Sequence, residues 1–461
     1  MSQSSNEHFD AIVVGAGQAG PALAERLGQE GLKTALIERN VLGGTCVNVG
    51  CIPTKTLVAS ARAVHTARRG AEYGFTAGEV RIDMKAVKAR KDGVVRRSVE
   101  SLTHWVGNMK NVTLIRGHAR FTAPHTLDVA GRLLQAEKIF INVGARALVP
   151  NMPSVKDVPF FTNSTMLQAE MVPEHLVIIG GSYIGLEFAQ MYRRFGAQVT
   201  VIEKSDRLLP REDDDVASEI RAILEREGIV IRTGAECMAL SKRAGQVVVS
   251  LECRDGEPIA EGSHLLLAVG RAPNTHDLGL AQAGILSDAH GYITVDEQCR
   301  TNVPGLWCLG DANGRGAFTH TSWNDYEIVA ANLFDDDPRK ISDRIACYAL
   351  FIDPPLGRVG MNMALAKQSG RKLLVGKMHM ARVGRAVEAG ETQGFMKVLV
   401  DADSKELLGA AVLGLNGDEV VHSILDVMYA GVPFTTLQRA VHIHPTVTEF
   451  IPTLLGNLKT L

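Results

Sequence analysis

The chain of 461 residues has no apolar run long enough to cross a bilayer, which argues against a membrane-spanning protein. It also has no excess of either charge, with 49 Lys and Arg facing 51 Asp and Glu. Without a basic tract or an acidic tail, neither nucleic acid nor a membrane surface is an expected partner. The opening residues, MSQSSNEHFD, lack the apolar core of a secretion signal. Seven cysteines, a modest and odd number, suit a reducing cytoplasm. No low-complexity tract interrupts the chain. What is present is a globular composition, 46% hydrophobic and 22% charged, sufficient for sizeable cores in about three or four domains.

Two stretches repeat one plan. Residues 9–38 read FDAIVVGAGQAGPALAERLGQEGLKTALIE. An apolar strand from Ala11 to Val14 runs into Gly15-x-Gly17-x-x-Gly20, a helical stretch follows, and a second strand from Thr34 to Ile37 ends at Glu38. This is the dinucleotide fingerprint in its required setting of strand, glycine turn, helix and terminal acid. Gly15 permits the tight turn, Gly17 lets the backbone approach a pyrophosphate, and Gly20 lets helix and strand pack closely. The pyrophosphate rests on the helix N-terminus, and Glu38 accepts from a ribose diol.

Residues 175–203 repeat the plan as HLVIIGGSYIGLEFAQMYRRFGAQVTVIE. Gly180 and Gly185 hold the first and third glycine positions, and Glu203 stands 23 residues after Gly180, as Glu38 does after Gly15. Ser182 replaces the middle glycine and would hold a pyrophosphate slightly farther from the backbone. Glu203 favours a free 2′-hydroxyl, hence NADH over NADPH, although Lys204 beside it leaves room for a 2′-phosphate. Two such folds imply two dinucleotides, one a resident flavin and the other a mobile nicotinamide.

Between the fingerprints lies GGTCVNVGCIPTK, residues 43–55. It reads as a loop that enters a helix at about Pro53, with Cys51 just ahead of the helix N-terminus. Unpaired N–H groups and the helix dipole there favour a thiolate. Cys46 supplies the second thiol that reversible disulfide chemistry needs. Spacing alone leaves buried structural cysteines and a zinc site open; zinc is disfavoured because no second pair stands at ligand spacing. Cys237, Cys253, Cys299, Cys308 and Cys347 are scattered and read as structural.

Toward the C-terminus, LWCLGDANG (306–314) reads as a buried strand that releases Asp311, and HPTVTE (444–449) places Glu449 five residues after His444. A carboxylate that orients an imidazole makes a serviceable general base, although a lone histidine is equally a packed or surface residue. His442 and His444 form His-x-His. A metal site is conceivable there, but alternate residues on a strand point to opposite faces, so it stays a minor alternative and no metal ligand is assigned.

With these segments the chain resembles the pyridine nucleotide-disulfide oxidoreductases, the flavoprotein disulfide reductases, over nearly its whole length. The resemblance implies an α/β fold: two Rossmann-like domains for FAD and NAD(P) and a C-terminal α+β dimerisation domain. It implies boundaries of 1–150 for the FAD domain, 151–275 for the nicotinamide domain, 276–342 for a central region completing the FAD site and 343–461 for the interface domain. By resemblance Cys46 and Cys51 form the redox-active disulfide, and His444 with Glu449 forms the catalytic base pair. Gly44, Thr45, Lys55, Glu187, Gly270 and Asp311 join the cofactor-binding residues. Lys55 would lie beside the flavin and pair with Glu187, and Asp311 would accept from ribityl hydroxyls.

The implied enzyme is a homodimer in which His444 reaches the partner's disulfide. It takes electrons from NADH through FAD to Cys51, nearer the flavin, and Cys46, farther out, attacks the substrate. The substrate class is a small disulfide or a soft metal ion. The C-terminus, LLGNLKTL, lacks the cysteine pair with which mercuric reductases deliver mercury. GGSYIGLEFAQ, LLPREDDDVA and DPPLGRVGM point to a mercuric-reductase-like branch that includes a bacterial copper(II) reductase of reactive-chlorine resistance, with dihydrolipoamide dehydrogenase as the alternative.

Overall fold

A computed structural model describes residues 7–152, 154–253 and 258–461, apart from the side chains of residues 236–238, 252 and 253. Cys237 and Cys253 therefore lie outside the described side chains. The chain divides into two compact units, one of residues 1–56, 88–148 and 270–344, the other of residues 57–87, 149–269 and 345–461.

In the first unit a seven-stranded sheet is built around the strand Glu7–Val14. Ala11–Val14 are buried on both faces, so the strand reads as a continuous apolar run, as a central parallel strand must. It pairs in parallel with Thr34–Glu38 on one side and Arg132–Ile141 on the other. Val112–Arg116 extends one edge, and Leu306–Cys308 also pairs with Arg132–Ile141. The antiparallel hairpin Ala119–Ala123 and Thr126–Val129 completes the sheet. The helix Ala19–Gln29 packs on it through Ala19, Leu23 and Leu27. Phe140 stacks on Trp307 with ring centroids 4.8 Å apart. Cys299 and Cys308 are buried in the two cores on either side.

Among its described residues the second unit holds three sheets. A five-stranded parallel sheet runs in the order Val230–Arg232, Gln198–Ile202, His175–Ile179, His264–Leu267, Phe161–Thr162. Beside it in sequence is the antiparallel trio Ala235–Arg243, Gln246–Cys253 and Ile259–Gly262. The six-stranded antiparallel sheet of the C-terminal region carries Phe395–Asp401 and Leu407–Leu413 at its centre. Both strands are buried along their whole length: the helix Gly417–Tyr429 covers one face with Val420, Val421 and Ile424, and a second cluster with Ala366 and Leu373 takes Leu399 and Leu408.

The helix Tyr183–Phe195 stops at Gly196, whose φ of 116° admits glycine and whose N–H closes on Tyr192 and Arg193. Its polar stripe grips one loop. Glu187 accepts from the Phe351 N–H at 3.0 Å, Gln190 bonds both the N–H and the carbonyl of Asp353, and Arg194 pairs with Asp353 and Glu227 at 2.7 Å each. Among the described residues no helix is long and apolar enough to cross a membrane.

Candidate active site

Each fingerprint turn is wired in the same way. The Gly15 N–H bonds the Ile37 carbonyl and the Gly180 N–H bonds the Ile202 carbonyl, both at 2.8 Å. Glu38 accepts from the N–H groups of Ala16 at 2.8 Å and Asn40 at 2.7 Å. Glu203 accepts from Gly181 at 2.7 Å and Ser205 at 2.8 Å. The two acids are thereby held at their strand ends with oxygen lone pairs left for a ribose.

The glycines divide by what would fill them. A Cβ on Gly20 would stand 2.1 Å from the Gly15 carbonyl oxygen, and one on Gly185 would stand 1.9 Å from that of Gly180. Gly15 and Gly180 have φ of 105° and 117°, and a Cβ on them would stand 2.3 and 2.4 Å from the carbonyl oxygens of Asn142 and Ala268. Gly17 differs. Its φ is ordinary and the nearest atom a Cβ would meet is the Asn142 side-chain nitrogen at 3.4 Å. Packing within the protein does not require glycine there, whereas a pyrophosphate lying against the turn does, so these residues fit FAD. At the matching place in the second turn, Ser182 occupies the N-cap position of the helix with extended backbone but makes no side-chain capping bond.

The redox segment departs from the loop expected for it. Gly44–Val49 is a short helix containing Cys46, and the long redox helix Cys51–Arg68 has Cys51 as its first residue instead of starting at Pro53. The segment is pinned to the first fingerprint. The Gly43 N–H bonds the Ala16 carbonyl at 2.8 Å, and a Cβ on Gly44 would meet the Gly17 Cα at 2.9 Å. Thr45 reaches the Ala145 carbonyl at 3.4 Å.

Cys46 and Cys51 are free thiols, the reduced form of such a pair. The Cys46 hydrogen bond pulls the Cys51 thiol down to about 6, helped by the Thr319 hydroxyl and the Lys55 charge and opposed by burial. The same bond to Cys51, together with burial, pushes Cys46 up. Lys55 stands four residues into the helix from Cys51, on the same face.

Asp311 sits in the 3₁₀ turn Gly310–Asn313, where burial raises its carboxyl pKa against the pull of Arg271, 3.3 Å away. That turn is held by Asp325, which sequence reasoning missed. The buried Asp325 carboxylate accepts from the Gly310 N–H at 2.8 Å and the Asn313 amide at 2.9 Å, and pairs with Arg344. Gly270, with φ of 139°, accepts from the Leu148 N–H where the antiparallel pair Ala145–Ala147 and Arg271–Pro273 begins.

His444 Nδ1 lies 3.0 and 3.2 Å from the two oxygens of Glu449, which falls in the 3₁₀ turn Thr448–Phe450. The imidazole is exposed (81%) and its carboxylate half-buried (18%), so the carboxylate is fixed and the ring faces outward. His442 and His444 are not on a strand, contrary to expectation. Among the described residues no group of His, Cys, Asp and Glu is gathered to hold a metal.

Residues 9–325 match the family described as pyridine nucleotide-disulphide oxidoreductase, and residues 347–455 match its dimerisation domain. The chain is 36% identical over 459 residues to the probable pyridine nucleotide-disulfide oxidoreductase RclA of Escherichia coli, covering 98% of this chain and 99% of that one. It is 33% identical over 444 residues to a dihydrolipoyl dehydrogenase of Thermus scotoductus, covering 96% and 95%. The solved structure of the HOCl-induced flavoprotein disulfide reductase RclA from Escherichia coli superimposes with a TM-score of 0.89 at 35% identity, over 97% of this chain and 99% of that one. Its Cu(II) complex gives 0.88 at the same identity and coverage. The chain thus belongs to the pyridine nucleotide-disulfide oxidoreductases, flavoprotein enzymes that work with FAD and a pyridine nucleotide.

Proposed function

We propose that the enzyme draws electrons from NADH and delivers them, through the Cys46–Cys51 pair, to a soft metal ion such as copper(II) or to a small disulfide. The observation that carries this reading is the pair itself: two free thiols on consecutive helices, with Cys51 the first residue of its helix and its thiol lowered toward the thiolate. FAD, held by Gly15, Gly17, Gly20, Glu38, Gly44, Thr45, Lys55 and Asp311, supplies the exchange between a nicotinamide hydride and the two-electron reduction of the disulfide. The nicotinamide nucleotide belongs on the second fingerprint, at Gly180, Gly185 and Glu203. Hydride and disulfide give one thiol, Cys46, and one thiolate, Cys51. The two sulfurs then reduce two copper(II) ions to copper(I), re-form their bond and release one proton. Thiolates are suitable ligands for such soft ions. The Escherichia coli relative whose solved structure is a Cu(II) complex supports this acceptor.

The domain assignment at 1–150, 151–275, 276–342 and 343–461, the cytoplasmic location and the homodimer are part of the same reading. In the dimer, His444 oriented by Glu449 serves the partner's cysteine pair as proton carrier. Dihydrolipoamide dehydrogenase is the second reading, favoured by the 33% identity to the Thermus scotoductus enzyme.

The experiment is NADH consumption by the purified flavoprotein without oxygen, with lipoamide and with copper(II) side by side. Copper turnover that disappears in Cys46→Ser supports the metal reading, and fast lipoamide turnover replaces it with the dehydrogenase. Higher catalytic efficiency with NADPH than with NADH would overturn the role given to Glu203.

A further inference from the structure

The mechanism leaves one problem at Cys51. One donor to its negative charge is the Cys46 S–H, and Cys46 gives up that proton when it attacks an acceptor. From that moment until the disulfide closes, the Cys51 thiolate needs a donor that the reaction does not consume.

Thr319 stands in that place. Its Oγ1 is 3.5 Å from the Cys51 Sγ, within reach for a hydrogen bond to sulfur. Thr319 is the first residue of the 16-residue helix Thr319–Phe334, and Cys51 is the first residue of its own 18-residue helix. The positive ends of two helices therefore meet at one sulfur. The bond has a defined direction in the working state. A thiolate has no proton, so the hydroxyl must donate. The charged group on the Cys51 side is Lys55, on the redox helix itself; the neighbour of Thr319, His320, stacks on Phe318.

We propose that Thr319 is a catalytic residue of this enzyme: its hydroxyl is the standing donor that keeps Cys51 ionised while Cys46 is engaged with the acceptor. This rests on Cys46 and Cys51 being the redox pair. A hydrophobic residue at position 319 would remove a neutral side-chain donor from that thiolate, leaving the helix ends, Lys55, the flavin and the partner's His444 to carry the interval.

The test removes the Cys46 donor first. In reduced Cys46→Ala holoenzyme, the rate of iodoacetamide labelling of the Cys51 peptide is followed against pH by mass spectrometry. Adding Thr319→Val is expected to raise the inflection by about one pH unit or more, the shift that loss of a hydrogen bond to a charged group produces. Thr319→Ser should restore it. Thr319→Ala, with flavin content and thermal midpoint recorded for every variant, repeats the test should the valine disturb folding. An inflection that stays in place in both the valine and alanine variants overturns the proposal. Failure of the redox-pair reading would register separately, as undiminished acceptor turnover in Cys46→Ser.

Discussion

The two glycines of the first fingerprint that differ in their surroundings should respond in opposite ways to one added methyl group. In Gly20→Ala the new Cβ would lie 2.1 Å from the Gly15 carbonyl oxygen, so the helix Ala19–Gln29 has to retreat by about an ångström or the turn has to open. Overpacking of that size costs about 1–3 kcal/mol, a loss of roughly 3–10 °C in Tm for a unit of this size. In Gly17→Ala the nearest atoms stand at 3.4 and 3.9 Å, ordinary contact, and φ is unstrained. The flavin-stripped protein should therefore match wild type within about 0.5 kcal/mol.

Binding should invert the order of harm. The methyl group at position 17 lies where a pyrophosphate approaches the backbone. Losing two charge-assisted hydrogen bonds at about 1.5–3 kcal/mol each weakens FAD by roughly 10²- to 10⁴-fold. The assay is flavin content as purified, followed by thermal melts and calorimetric FAD titration of the stripped proteins. Wild-type FAD affinity in Gly17→Ala, or its failure to fold without flavin, would refute the argument that the ligand, not the packing, requires glycine there.

Three further outcomes follow from the geometry. Arg194→Met leaves Asp353 and Glu227 without their shared buried cation and should cost about 3–5 kcal/mol, read from the denaturant midpoint. Glu449→Ala should lower acceptor turnover by roughly 10²-fold through loss of the oriented base, while Tm moves little because a pair whose imidazole lies in solvent contributes at most about 1 kcal/mol. In the reduced wild-type enzyme, labelling of Cys51 should rise with pH about a midpoint near 6, since its lowered pKa keeps the thiolate above that pH and loses it below. A midpoint at the ordinary thiol value of about 8.5 would contradict the hydrogen bond from Cys46.

The fingerprints were legible because their chemistry is contiguous: strand, glycine turn, helix and acid follow one another, and the acids fall at the strand ends as spaced. The short helix Gly44–Val49 was not, because glycines at both ends and β-branched Thr45 and Val47 argue locally for a loop. It forms because the Gly43 N–H is tied to Ala16 and Gly43 and Gly44 take up positive φ, constraints that come from a distant turn. Thr319, Arg271 and Asp325 act only through proximity in the fold, and no spacing announces them. LLPREDDDVA looked like a mark of the family branch. In the structure Glu212 accepts from Tyr183 and Tyr348, and Asp213 pairs with the buried Arg358 and Lys397. Lys397 also reaches Asp215, which is why a lysine survives in the middle of a fully buried strand.

The two turns share their wiring, yet the ligands proposed for them have opposite needs, one resident and one exchanging at every cycle, and the middle position is where the turns differ. Gly17 leaves the turn open to close approach, whereas Ser182 places a side chain at the same point of the second turn, with extended backbone and no capping bond to justify it. A serine that does not cap contributes little to the helix, so replacing it by glycine should change stability by only a few tenths of a kcal/mol. What it changes is the distance at which a pyrophosphate can settle. Ser182→Gly should then bind NADH about tenfold more tightly, the effect of roughly one additional hydrogen bond. If nucleotide release limits turnover, kcat should fall as KM falls, the mark of a ligand held too well. Fluorescence titration of NADH and steady-state kinetics read both quantities. Unchanged or weaker binding would mean that Ser182 touches the nucleotide productively, and that the looser second site owes its exchange to something other than this side chain.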